Sequence, residues 1–221
     1  GKMGLSHLSL VRPLPDVDVV GVCDSTGYVL DVLGKYTGLP TYTDYSEMLR
    51  AATPDAVVVA TPTHLHEPMV REALERGIHV FCEKPLAFTT AEALQMAQAA
   101  QAAGVTHQVG LVLRRSPAYL WAKHLIDQPA AGRLMTVVFR DDQFIPIQGH
   151  YASTWRADRS LVGAGTLLEH SIHDVDMLRY LVGDVRRLSA HTENFHGHDG
   201  IEDVATALLR FADGATGTLT S

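Results

Sequence analysis

Glu83, Lys84 and Pro85 close a short apolar run, Ile78 to Cys82, so an acid, a base and a backbone lock sit together at its end. A run of that kind reads as a buried parallel strand, and the carboxyl end of such a strand is where open α/β sheets place ligands. A lysine partly buried there can change its pKa and serve as an acid or as a hydrogen-bond donor to a reacting oxygen. The plainer reading is a surface Glu–Lys pair before a proline turn. A second group lies downstream: Glu169, His173 and Asp176 stand at i, i+4 and i+7, one face of a helix. A carboxylate one turn from a histidine can orient the ring and raise its pKa into a working range. A solvated helix face is the plainer alternative, but Leu167, Leu168, Ile172, Val175, Leu178 and Leu181 make the surrounding helix apolar. Gly163-Ala164-Gly165, just before it, leaves room for a ligand or frees the turn.

A third group concerns phosphate and ribose recognition. Gly1, Met3 and Gly4 fit the tail of a G-x-G-x-x-G loop, and Asp24 follows Gly4 by twenty residues at the end of the next strand-like run. A dinucleotide fold needs its ribose-binding acid near that spacing. Such an acid accepts from the ribose hydroxyls and repels a 2′-phosphate, which favours NAD; Ser25 and Thr26 beside it could tolerate the phosphate of NADP. Thr61, Pro62 and His66 follow a strand and precede a helix, the place for a second cofactor-contacting loop. His64-x-His66 and His196-x-His198 lack the nearby Cys or carboxylate set of a zinc site, so no metal is expected.

The elements that position these residues alternate at first. Val17–Cys23, Asp55–Ala60, Ile78–Cys82 and Thr106–Gly110 read as strands. Leu5–Arg12, Val29–Tyr36, Tyr45–Ala51, Glu67–Arg76 and Thr90–Ala103 read as helices, with Asp44 as an N-cap and Gly38, Gly77 and Gly104 as stops. The alternation predicts βαβ units and a parallel sheet. After about residue 112 the rhythm changes. Helix Pro117–Asp127, strand Leu134–Arg140, an irregular stretch from Asp141 to Ser160, one long helix Thr166–Val182, and strands Arg187–Glu193, Val204–Phe211 and Ala215–Thr220 predict an α+β region with an antiparallel sheet.

Bulk properties narrow the function classes. The net charge of −7 disfavours nucleic acid and anionic membranes as partners. No apolar run has the length of a membrane span. The two cysteines, Cys23 and Cys82, end strand-like runs and read as reduced core residues, which suits the cytoplasm. The chain begins in mid-motif and stops inside an alternating strand, so it reads as a fragment of a longer protein.

On these residues the chain resembles the glucose-fructose oxidoreductase / inositol dehydrogenase / MocA (Gfo/Idh/MocA) family over essentially its whole length. Glu83-Lys84-Pro85 and the His173-x-x-Asp176 helix about ninety residues later are the specific part. The resemblance implies a Rossmann-type NAD(P)-binding domain over residues 1–112 without its first strand, then an α+β domain with an open, mainly antiparallel sheet over residues 113–221. It makes Lys84, His173 and Glu169 the catalytic residues, with Glu169 orienting His173 from a position where the family usually has aspartate. The reaction implied is hydride transfer between nicotinamide and a carbinol carbon of a sugar, inositol or related polyol. Gly1, Met3, Gly4, Asp24, Ser25, Thr61, Pro62, His66, Glu83 and Lys84 would hold the cofactor. Tyr151, Trp155, Arg156, Glu169, His173 and Lys84 would line the substrate site. A homo-oligomer through the open sheet is expected. Two rivals use the same scaffold: a glycosidase that oxidises its substrate transiently, and a non-catalytic NAD(P) sensor.

Overall fold

Alternating apolar and amphipathic stretches become a series of short elements, described over residues 1–143 and 153–221 in a computed structural model. Tyr151 lies outside the described residues. The chain forms two compact units, Gly1–Gly110 and Leu111–Ser221.

The first unit runs α1 (Lys2–Val11), β1 (Val22–Cys23), α2 (Gly27–Thr37), β2 (Thr41–Tyr42), α3 (Tyr45–Ala52), β3 (Ala56–Val59), α4 (His66–Glu75), β4 (His79–Cys82), α5 (Thr90–Ala103) and β5 (His107–Val109). Every described pairing in it is parallel: β1 with β2, and β3-β4-β5 in that order. Local chemistry sets the helix ends. Asp44 accepts from the Glu47 N–H to start α3, and Thr89 with Glu92 closes a capping box on α5. Gly38 and Gly104 adopt left-handed geometry, φ 69° and 67°, to stop α2 and α5.

Val57, Val59, Val80 and Cys82 alternate onto one face of β3 and β4, and bury against Val70, Ala73 and Leu74 of α4 and Met96 and Ala100 of α5. Each large side chain there contributes about 1.5–3 kcal/mol. Burial pushes the Cys82 thiol up to about 12. The expected strand Val17–Cys23 shortens to Val22–Cys23, because only these residues meet the Thr41–Tyr42 segment in register.

The second unit runs α6 (Pro117–Ile126), β6 (Thr136–Arg140), α7 (Arg159–Val162), α8 (Thr166–Glu169), α9 (Ile172–Leu181), β7 (Val185–Glu193), β8 (Val204–Phe211) and β9 (Thr216–Thr220). Its sheet has the order β6-β9-β8-β7, with β6–β9 parallel and the other two pairings antiparallel. Ala207, Leu209, Phe211, Leu219, Val137 and Phe139 share the inner face and pack with Leu178 of α9 and Leu167 of α8. The outer face carries the in-register row Ser189, Leu208, Thr218 and Val138. Leu208 is 62% and Val138 76% exposed.

The single long helix expected over Thr166–Val182 is instead two helices, α8 and α9. The Ser171 N–H turns back to the Thr166 carbonyl, five residues earlier, so the i to i−4 ladder is lost at His170–Ser171. Ser171 itself is fully buried.

Candidate active site

In the first unit the functional residues gather around α1 and the carboxyl ends of β1, β3 and β4. Asp24 follows β1, and its Oδ1 accepts from the Thr26 N–H at 2.9 Å. A Cβ at Gly4 would meet nothing within 4 Å. A helix N-terminus for phosphate and a carboxylate after the next strand for ribose suit a dinucleotide. Met3 and Ser25 are exposed at the same end.

Lys84 follows β4 between two anchored neighbours, and its peptide bond to Pro85 is cis. Glu83 pairs with His7 at 2.7 Å. The Pro85 carbonyl accepts from His66 Nδ1 at 2.8 Å. His66 is fully buried, and its Nε2 faces the Thr61 carbonyl at 2.9 Å. Both ring nitrogens are therefore taken by backbone, and burial lowers the imidazole pKa despite these bonds. His66 ties the Thr61–Pro62 loop to the Lys84 turn. Thr61 and Pro62 themselves remain half-buried at the end of β3.

In the second unit the chain brings Trp155, Arg156 and Glu169 together. Arg156 Nε donates to Glu169 Oε2 at 2.9 Å, and its guanidinium lies 4.4 Å from the Trp155 ring centroid. Glu169 is buried at the end of α8. His173 is half-buried in the first turn of α9, so Glu169 and His173 do not share one continuous helix face. Asp176, the third member of that expected face, is engaged elsewhere by the Arg114 guanidinium in contacts of 2.6–3.1 Å. It fixes α9 to the turn at Val112–Arg115. Asp174 beside His173 is buried. That burial pushes its carboxyl up to about 6, the Ser171 hydroxyl opposes the rise and Asp141 adds to it.

A cavity of about 230 Å³ lies within this unit, lined among others by Arg156, Glu169, His170, His198, Glu202 and Asp203. Its carboxylates are largely committed to internal donors. Glu202 accepts from the Gly165 N–H at 2.7 Å and the Leu167 N–H at 3.0 Å, capping α8. Asp203 accepts from the backbone of Phe195 and His196 and from the His196 ring. Burial acts to raise the Asp203 carboxyl, and those bonds hold it below its ordinary value. Among the described residues no cluster of His, Cys, Asp and Glu could hold a metal, and no helix is long and apolar enough to cross a membrane.

Known proteins match both units. Residues 1–111 match the NAD-binding Rossmann-fold domain of an oxidoreductase family, and residues 119–221 match the GFO/IDH/MocA C-terminal domain. The chain belongs to the Gfo/Idh/MocA family. Its relatives include scyllo-inositol 2-dehydrogenase (NAD+) of Bacillus subtilis, 31% identical over 98% of this chain and 63% of that protein. Levoglucosan dehydrogenase of Pseudarthrobacter phenanthrenivorans is 31% identical over 74% of this chain and 48% of its own length. The WlbA dehydrogenase of Bordetella pertussis, solved with NADH and UDP-GlcNAcA, superposes with a TM-score of 0.91 at 29% identity, covering 100% of this chain and 67% of that one. The chain thus spans about half to two thirds of the length of the relatives it matches.

Three contacts that hold the candidate residues of this Gfo/Idh/MocA chain are missing from the sequence reading: His7 on Glu83, Glu202 under α8, and Arg114 on Asp176. For Glu202 and Arg114 no local pattern marks the partner, which lies 35–37 and 62 residues away. His7 offers a faint signal, one turn after Gly4 on the helix that opens the dinucleotide motif.

Proposed function

We propose that the whole protein is an NAD-dependent dehydrogenase that oxidises a carbinol group of a sugar, inositol or related polyol, reversibly. The observation that carries this is the placement of the Lys84 turn against α1, through His7 and Glu83, in a unit that matches an NAD-binding Rossmann fold. NAD, when bound, would supply the two-electron acceptor for the carbinol hydride. His173 takes the hydroxyl proton as general base. Lys84 donates a hydrogen bond to the same oxygen and stabilises the developing alkoxide. Loss of the hydride and that proton leaves the carbonyl product, and the reverse reaction returns the proton from His173. Glu169, held by Arg156, and Trp155 form part of the substrate wall, to which Tyr151 is also assigned.

The substrate class is supported by relatives named for an inositol and an anhydrosugar, and by the cavity next to Glu169. Its volume of about 230 Å³ is below the roughly 300–1,000 Å³ of clefts for drug-sized ligands, which suits a monosaccharide-sized group. Asp24 favours NAD over NADP, since a 2′-phosphate would meet its carboxylate. The Thr-rich outer sheet face with Leu208 and Val138 at its centre is proposed to pair with a second copy of the chain. We place the enzyme in the cytoplasm, where a reduced thiol such as Cys82 persists.

The test is a polyol and sugar screen of the full-length protein, following NADH absorbance with NAD and with NADP. Net NADH formation is expected; glycoside cleavage without net redox change, or tight NAD binding without turnover on any polyol, would overturn the reading. Lys84→Met should lower kcat by about 10²–10⁴-fold with NAD affinity nearly intact. Full turnover in that variant would remove Lys84 from the mechanism.

A further inference from the structure

We propose that His7 is a positioning residue for Lys84, acting through Glu83; this rests on the reading of Lys84 as donor to the reacting oxygen. The Glu83 carboxylate sits in a slot with three walls. His7 Nε2 meets Oε1 at 2.7 Å across 76 residues of sequence. The Lys84 backbone N–H donates to Oε2 at 3.2 Å. On another side Gly110, just past β5, leaves the space: a Cβ there would stand 2.9 Å from Oε2 and 3.0 Å from the carboxyl carbon. The imidazole is itself oriented, its ring edge-on to Phe81 with centroids 5.2 Å apart and planes at 63°. Its side chain is 20% exposed and that of Glu83 13%.

This arrangement has a consequence for the residue between. The backbone of Lys84 is reached by the Glu83 carboxylate, and the next carbonyl, Pro85, is held by His66. Two histidines, from α1 and α4, therefore grip the residues on either side of Lys84. A flexible four-carbon side chain reaches a reacting oxygen reproducibly only when its backbone is fixed, and a misplacement of about 1 Å costs on the order of 10²-fold in rate. His7 supplies half of that fixation without touching substrate.

The experiment uses the full-length protein. His7→Phe keeps a ring against Phe81 and removes the donor; His7→Gln restores a side-chain N–H near the Nε2 position. We expect His7→Phe to lower kcat about 10–100-fold, with KM and NAD affinity changed less than threefold, and His7→Gln to recover most of the loss. Gly110→Ala displaces the same carboxylate from another side and should lower kcat in the same way, which keeps the test open if His7→Phe folds poorly. The deciding arm is Lys84→Met. In that background His7→Phe should cost little more, because the two act in series. Equal losses from His7→Phe with and without Lys84, or a fall in thermal midpoint with kcat unchanged, would overturn the inference. Full turnover in Lys84→Met would instead overturn the underlying assignment of Lys84.

Discussion

The two halves of the chain hold their candidate residues by different forces. Lys84 stands at the end of a strand whose backbone is bonded on both sides: the Glu83 N–H donates to the Val59 carbonyl at 2.9 Å and the Gly110 N–H to the Cys82 carbonyl at 2.8 Å. Its place follows from sheet register, with histidines trimming the turn. Glu169 stands on one turn of helix, too short to hold itself, and the start of that turn is capped by the Glu202 carboxylate. The first half is built into the sheet; the second depends on a few polar groups and on close backbone approach. Substitutions should therefore separate the two.

The largest expected effect is at Gly165. A Cβ there would fall 1.8 Å from the Glu202 carbonyl oxygen, so Gly165→Ala forces the two segments apart. Unfolding of the full-length protein should show a loss of more than about 3 kcal/mol, and a change within about 0.5 kcal/mol would mean that the contact is not restrictive. Next is Glu202→Ala, which strips two N–H groups of their acceptor. A cost of about 1–3 kcal/mol is expected, with a higher KM for the polyol and little change in NAD affinity. If NAD affinity fell as far as polyol affinity, the two halves would not be held independently.

The smallest effect is at Asp174. Its folded pKa of about 6 lies above its ordinary 3.8, so the folded state binds the proton more tightly than the unfolded chain. Stability tied to this group is retained at low pH and lost as pH rises from about 4 to 6. Asp174→Asn should accordingly gain on the parent across that window and stay more stable at pH 7, by about 1–2 kcal/mol. Thermal midpoints at pH 4, 5, 6 and 7 measure this; a difference that does not grow with pH would contradict it.

The first half was the more legible from sequence for the same physical reason. Caps such as Asp44 and Thr89–Glu92, stops such as Gly38 and Gly104, and the alternation of Val57, Val59, Val80 and Cys82 are local signals. They place helices and strands to within a residue or two. Where structure is fixed by distant partners, the sequence misleads. The periodicity of residues 166–182 is continuous, yet the helix breaks where the Ser171 N–H turns back to the Thr166 carbonyl. Asp176 looks like part of a reactive face and is instead neutralised by Arg114. The ring of His66 faces two carbonyls that its own stretch of sequence does not mark. In each case the deciding contact involves a backbone group or a residue far along the chain.

Cys82 offers an unplanned reporter. It is 2% exposed, immediately precedes Glu83, and its thiol is pushed up to about 12, so almost none of it is the nucleophilic thiolate while the sheet is closed. Alkylation must wait for an opening of β4 that both admits the reagent and releases the proton. The rate of modification at Cys82 then counts openings of the strand that carries Lys84. A cofactor that clamps this region should slow that clock in proportion to its occupancy, giving a readout of binding that needs no substrate and no turnover.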